Sequence, residues 1–247
     1  MVKLVQKEQH VIVEQILSFI KRVSNNGDHA RVQKAKQLLK KLDQQAFHIA
    51  FCGHFSAGKS TMINHLVGEQ VLPSSPIPTS ANLVKVHRAN EDFAIVYYDD
   101  EQPVYFPQLR SIALIKEFCK QGNVKEVEIG KANTILPDSV VVMDTPGVDS
   151  TDDAHRIATE SAIYLADMVF YVMDYNHVQS ELNFQFTKEL LNHGMELYLV
   201  INQIDKHHDE ELSFAEFSKS VQQAFATWDV HPKGIFFTSL KHPDNSH

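Results

Sequence analysis

The sequence predicts an α/β fold, a three-layer sandwich with a mostly parallel central sheet, preceded by amphipathic helices. Three observations predict it. Residues 46–61, AFHIAFCGHFSAGKST, read as a short apolar strand, the turn GxxxxGK[ST] and the start of a helix. A continuous apolar strand, 139–143, runs into Asp144-Thr145-Pro146-Gly147. From Asp153 onward, segments of helical and strand period alternate, as in a sheet covered on both faces.

In chain order, Ile12, Ile16, Phe19, Ile20 and Val23 share one face of a helix over 3–23. Ser24-Asn25-Asn26-Gly27-Asp28 breaks it, and a second helix runs to about Leu42 with Val32, Ala35, Leu39 and Leu42 on one stripe. These stripes need a partner, either the body of the protein or helices beyond this chain. After the glycine turn, Met62, Ile63 and Leu66 mark the inner side of a third helix. Residues 72–81, rich in Pro and Ser, form a loop. Strands follow at 82–87, 93–98, 104–106 and 124–129, with a helix over 108–120. Beyond the 139–143 strand come helices at 153–166, 180–192 and 210–228, and strands at 168–173, 195–201 and 234–237.

Composition excludes several classes. Two cysteines, Cys52 and Cys119, make neither a disulfide framework nor a zinc site, which suits a reducing cytoplasm. Asp167 and Asp174 interrupt the best apolar run, so no segment reads as a membrane span. The N-terminus lacks the pattern of a secretory signal. The net charge of -8 is uneven: residues 1–44 carry nine Lys/Arg against four Asp/Glu, a local +5, which leaves -13 for the rest. An acidic body argues against a nucleic-acid binder. The basic first segment reads as a solvated helix face ahead of a surface for acidic lipid or RNA.

The motifs carry the chemistry. Gly53 and Gly58 allow the backbone to turn and approach phosphate oxygens, and the loop amides and helix N-terminus face the anion. Lys59 is expected to reach the β- and γ-phosphates and the Ser60 hydroxyl to hold Mg²⁺, so the expected ligand is a nucleoside triphosphate. Asp144 would hold Mg²⁺ directly or through water, and the Gly147 amide would meet the γ-phosphate. The strand at 195–201 ends in Asn202-Gln203-Ile204-Asp205. The Asp205 carboxylate matches the N1–H and N2–H₂ donors of guanine, which adenine lacks. Asn202 can tie this segment to the phosphate loop, and Thr238-Ser239 can support the base edge. His54, His155 and His177 lack metal-ligand spacing and read as solvated or packed; His207-His208 reads as surface loop.

Taken together, GHFSAGKST, PIPTSAN, DTPGVDST, NQIDKH and FTSLKHP resemble the five guanine-nucleotide motifs of the P-loop GTPases. The finer resemblance is to the dynamin superfamily GTPase domain, and within it to bacterial dynamin-like proteins. It departs at Gln203, where the usual NKxD carries Lys; the shorter stem covers less of the base. The resemblance implies a P-loop GTPase domain over 45–247, truncated at its C-terminus, with residues 1–44 as part of a helical neck. It implies GTP or GDP bound by Gly53, His54, Phe55, Ser56, Ala57, Gly58, Lys59, Ser60, Thr61, Asn202, Gln203, Asp205, Thr238, Ser239 and Leu240. Mg²⁺ would lie on Ser60, Thr79 and Asp144. Catalysis would fall to Ser56, Lys59, Thr79 and Gly147, with K⁺ or Na⁺ at Ser56, because Val148 stands where Ras-type enzymes carry a water-positioning Gln.

The implied function is GTP hydrolysis by a membrane-remodelling mechanochemical protein. It would form a homodimer across the nucleotide face, meet membrane lipid through regions absent from this chain, and bind no nucleic acid. The implied location is cytoplasmic, with peripheral membrane association of the full-length protein. Two other readings stand beside it: a ribosome- or RNA-associated regulatory switch, and a scaffold that assembles on nucleotide without hydrolysis.

Overall fold

The computed structural model describes residues 2–73, 83–98, 101–107, 115, 117, 123–148, 153–242 and 244. The chain divides into two compact units, Met1–Phe47 and His48–His247. In the first, α1 (Val2–Asn25) packs on α2 (His29–Gln44). Gly27 turns the chain at φ 73°, and Asp28 caps α2 by accepting the Arg31 amide at 3.0 Å. Val32 and Ala35 are buried, whereas Ile12 and Phe19 remain 45% and 39% exposed. The α1 stripe is therefore only half covered.

The second unit is built on one nine-stranded sheet. Its strands are β1 (Phe47–Gly53), β2 (Leu83–Arg88), β3 (Phe93–Tyr98), β4 (Val104–Pro107), β5 (Val124–Lys131), β6 (Val140–Asp144), β7 (Met168–Asp174), β8 (Glu196–Asn202) and β9 (Gly234–Thr238). They lie in the order β4-β3-β5-β2-β6-β1-β7-β8-β9. β1, β7, β8 and β9 pair in parallel, as do β2 and β5. β2 runs antiparallel to β6, and β3 antiparallel to both β5 and β4. The sheet is thus mixed. Among the described residues, each antiparallel pair includes β2 or β3, from the segment between the first and second motifs.

Helices α3 (Lys59–Val67), α4 (Asp153–Leu165), α5 (Glu181–Asn192) and α6 (Phe214–Thr227) accompany it. Phe51, Val84, Val86, Val142, Val172 and Val200 form one apolar cluster with Met62, Ile63 and Val67 of α3. Their neighbours Cys52, Val141, Met143, Tyr171, Met173 and Leu199 are also buried. Strand alternation turns these to the opposite face. There Tyr171 stacks on Phe186 of α5 at 5.4 Å, and Phe184 meets Phe225 of α6 edge to face. Burying a ring such as Phe51 stabilises the fold by about 1.5–3 kcal/mol.

Boundaries moved by a few residues. The 210–228 helix begins at Phe214, because Ser213 and Glu216 close a capping box there. Of the 108–120 helix only Ile115 and Glu117 are described, both helical. Cys119, most of the 72–81 loop and Thr79 within it lie outside the described residues.

Candidate functional site

The phosphate-loop motif occupies the turn from β1 to α3. Gly53 has φ 141°, and a Cβ there would lie 1.9 Å from the Val172 carbonyl oxygen. Gly58, at φ 96°, caps α3, and a Cβ on it would lie 2.5 Å from Asn202 Nδ2. Both positions need glycine. Lys59 is 95% enclosed, with its Nζ donating to the carbonyls of Gly53 (2.9 Å) and His54 (2.7 Å). The ammonium is thus held inside the loop that it serves.

Asp144, at the end of β6, accepts a 2.6 Å hydrogen bond from the Ser60 hydroxyl on Oδ2. Its Oδ1 is enclosed without a hydrogen-bond partner. Burial pushes the Asp144 carboxyl up, against the opposing pull of Lys59 and Ser60. An enclosed carboxylate oxygen beside a hydroxyl is a hard-oxygen donor pair, which fits Mg²⁺. Among the described residues no group of three or more His, Cys, Asp and Glu has the arrangement of a metal site. A Mg²⁺ on Ser60 and Asp144 would complete its shell with Thr79, which lies outside the described residues, and with phosphate and water. The next turn is fastened to β1: the Thr145 hydroxyl donates to the Phe51 carbonyl (2.9 Å) and the Val148 amide to Gly53 (3.2 Å). Gly147 is buried beside it.

The third motif is tied to the first. Asn202, 2% exposed, donates from Nδ2 to the Ala57 carbonyl at 2.9 Å. Thr238 in turn donates to Asn202 Oδ1 at 3.2 Å. Gln203 adopts φ 65° and donates to the Ser56 carbonyl at 3.1 Å, while Lys206 donates to its Oε1 at 2.6 Å. The buried Ser239 hydroxyl donates to Asp205 Oδ1 at 2.7 Å and accepts the His242 amide at 3.1 Å. That hydrogen bond is the main reason the Asp205 carboxyl lies below the usual carboxylate range. Leu240 packs on the main apolar cluster, and its Cδ1 lies 3.9 Å from the space beside Gly58.

The structure therefore gathers Gly53 to Ser60, Asp144 to Gly147, Asn202 to Asp205 and Thr238 to Leu240 at one edge of the sheet. They sit at the carboxyl ends of β1, β6, β8 and β9, as parallel strands deliver them. Phe55 and Ser56 are exposed on the loop, and Thr61 sits half-buried in the first turn of α3. Thr79 lies outside the described residues.

Several contacts had no sequence signal. Asn64 of α3, 3% exposed, receives the amides of Val71 and Leu72 on Oδ1 and donates to the Leu72 carbonyl. It fixes the chain leaving α3. His54 meets Asn183 of α5, and His177 pairs with the buried Asp174 at 2.8 Å. The reading of His207 as surface loop is corrected: its ring is enclosed between Tyr175, Phe214 and Phe217, and its Nδ1 lies 2.9 Å from the Tyr175 hydroxyl. The aromatic residues that enclose it come from two segments, the turn after β7 and the start of α6, which no local pattern reveals. Cys52 is buried under the loop with its thiol pushed up to about 11 by burial, as an inert core residue.

Comparison with known proteins agrees with this geometry. The profile described as "Dynamin family" matches residues 49–205. Dynamin-like protein A of Bacillus subtilis is 36% identical over 226 residues, covering 91% of this chain and 19% of that protein. Dynamin-like protein 1 of Campylobacter jejuni is 25% identical over 211 residues, covering 70% of this chain and 29% of its own length. Among solved structures, an oligomerised bacterial dynamin pair superposes with a TM-score of 0.62 at 18% identity, over 96% of this chain and 47% of the other. The chain thus spans well under two thirds of the length of these relatives.

Proposed function

The chain belongs to the dynamin family, a family of GTPases, and from that premise we propose that it binds and hydrolyses GTP at the carboxyl edge of its sheet. The observation that carries the reading is the Ser60–Asp144 pair, 2.6 Å apart with an enclosed carboxylate oxygen, at the mouth of the phosphate loop. Lys59 would turn from loop carbonyls to the β- and γ-phosphates. Ser60 and Asp144, with Thr79, would hold Mg²⁺, whose charge offsets that of the phosphates. Asp205, oriented by Ser239, would read the guanine edge, and Asn202 would hold that reader against the phosphate loop.

Val148 offers no side-chain hydrogen bond to an attacking water. The Thr79 carbonyl would face that water instead, the Gly147 amide would meet the γ-phosphate, and Ser56 would help hold a K⁺ or Na⁺ ion that supplies positive charge beside the phosphates. A homodimer across the nucleotide face would order these loops. Residues 45–247 form the GTPase domain and residues 1–44 part of a neck. The solved relative is described as sensing and tethering membranes. By analogy, the full-length protein would act on membranes from the cytoplasm as a mechanochemical enzyme, through lipid-binding regions beyond this chain. Among the described residues no helix is long and apolar enough to cross a membrane.

Two measurements test the reading. In competition binding, Asp205→Asn should lose guanine affinity by about 1–3 kcal/mol and gain xanthosine triphosphate, whose base presents an acceptor where guanine has a donor. A variant that kept its guanine preference would move the base contact elsewhere. GTPase rate per enzyme should climb with protein concentration in potassium, and fall when a bulky organic cation replaces it. A flat, cation-insensitive rate would refute both the dimer and the role of Ser56. Nucleotide binding without any turnover would favour the scaffold.

A further inference from the structure

His54, the second residue of the phosphate-loop motif, is not free to sample solvent. Its Nε2 lies 2.8 Å from Oδ1 of Asn183, a fully buried residue in the first turn of α5. The orientation of the Asn183 amide is decided by its other partners. Its Nδ2 donates to the carbonyls of His177 (2.6 Å) and Val178 (3.0 Å), so its Oδ1 must be the acceptor. That oxygen also takes the hydroxyl of the fully buried Tyr171 at 2.8 Å. His54 Nε2 therefore carries a proton and donates it. The backbone of the same residue is also committed. The His54 carbonyl accepts Lys59 Nζ at 2.7 Å and the Ala57 amide at 3.2 Å.

We propose that His54 and Asn183 are positioning residues, a brace from α5 and β7 that holds the phosphate loop in its anion-binding shape. The proposal rests on the nucleotide reading above. Asn183 brings no charge; it acts on the loop through the imidazole. A loop shaped before the ligand arrives loses less conformational entropy on binding. A brace that pre-shapes the loop supports nucleotide binding, so its loss raises Kd and KM.

The test uses the whole chain and two substitutions on the exposed side of the brace, which leave Asn183 and its buried partners in place. His54→Gln keeps an N–H donor at similar reach; His54→Phe keeps a planar ring without one. We expect His54→Phe to weaken GDP about tenfold and His54→Gln to stay within about threefold of the parent, as the loss of one hydrogen bond to a buried acceptor predicts. In parallel, the ¹⁵N shifts of the His54 ring in the nucleotide-free chain should report the Nε2–H tautomer. Hydrogen exchange at the Ala57–Lys59 amides should quicken in His54→Phe alone. Equal GDP affinity in both variants, or an Nδ1–H tautomer, overturns the brace. If the parent itself binds no guanine nucleotide, the nucleotide reading fails separately, and the tautomer and loop exchange still decide the brace.

Discussion

At the scale of single residues, Lys59 and Asp205 differ in what surrounds them. Lys59 is enclosed and answered by two carbonyls. The loop over residues 53–60 carries no second Lys or Arg that could replace it. Lys59→Ala should weaken a fluorescent GTP analogue by about 100-fold or more, since charge-assisted hydrogen bonds contribute about 1.5–3 kcal/mol each. Unchanged affinity in that titration would remove the phosphate site from this loop. Asp205 is half-buried and is tuned mainly by one hydrogen bond from Ser239, with burial opposing and Lys241 and His242 assisting. Its folded pKa lies below the unfolded value. Its contribution to stability is therefore present above the unfolded pKa and is lost as pH falls through the folded one. Ser239→Ala should shift the Asp205 carboxyl upward in a ¹³C NMR titration and bring acid destabilisation in at higher pH. An unmoved titration curve would assign the depression to the neighbouring cations instead.

At the scale of elements, the β1–α3 turn works because its glycines admit what no side chain could. At Gly53 the obstacle is backbone, the Val172 carbonyl of the neighbouring strand, which cannot swing aside. Gly53→Ala should lower stability by about 2 kcal/mol or more, combining φ strain with a displaced strand. Thermal unfolding should show a drop of at least several degrees, and an unshifted melting temperature would mean that the turn relaxes freely. The same element shows how a departure from a usual motif is absorbed. Gln203 has a shorter stem than Lys, yet its amide spans Ser56 and Lys206 at once. Where Lys would cover a base, Gln203 supplies a second tie between this segment and the phosphate-loop motif.

At the scale of the whole molecule, the division at Phe47 separates two helices from the sheet that carries the described motif segments. The motif segments fasten to one another through contacts inside the second unit: Asn202 to Ala57, Ser60 to Asp144, Thr145 to Phe51. Ile12 and Phe19, in contrast, stay substantially exposed in the first unit. Deleting residues 1–44 should leave nucleotide affinity within about threefold, less than the worth of one hydrogen bond. It should also improve solubility by removing apolar surface. Isothermal titration of the shortened chain is the check; loss of binding would show that the helices brace the sheet.

Much of this molecule was legible as sequence because its decisive signals are local. Apolar alternation, a glycine-bounded turn before Lys-Ser, and Asp-Thr-Pro-Gly after an apolar strand each need only a few adjacent residues. Those local patterns determined the strands and most helix limits among the described residues, and they marked the candidate site that the sheet gathers at its carboxyl ends. Tertiary structure decided what depends on residues far apart in the chain. The antiparallel pairing of β2, β3, β4 and β6 follows from strand order, which periodicity does not encode. His207 became a core residue only when Tyr175, Phe214 and Phe217 closed around it. Asn183 gained its meaning from four groups supplied by the phosphate loop, β7 and the turn before α5. A buried amide must satisfy every donor and acceptor where it lies, and which groups lie there is settled by packing, not by its neighbours in sequence.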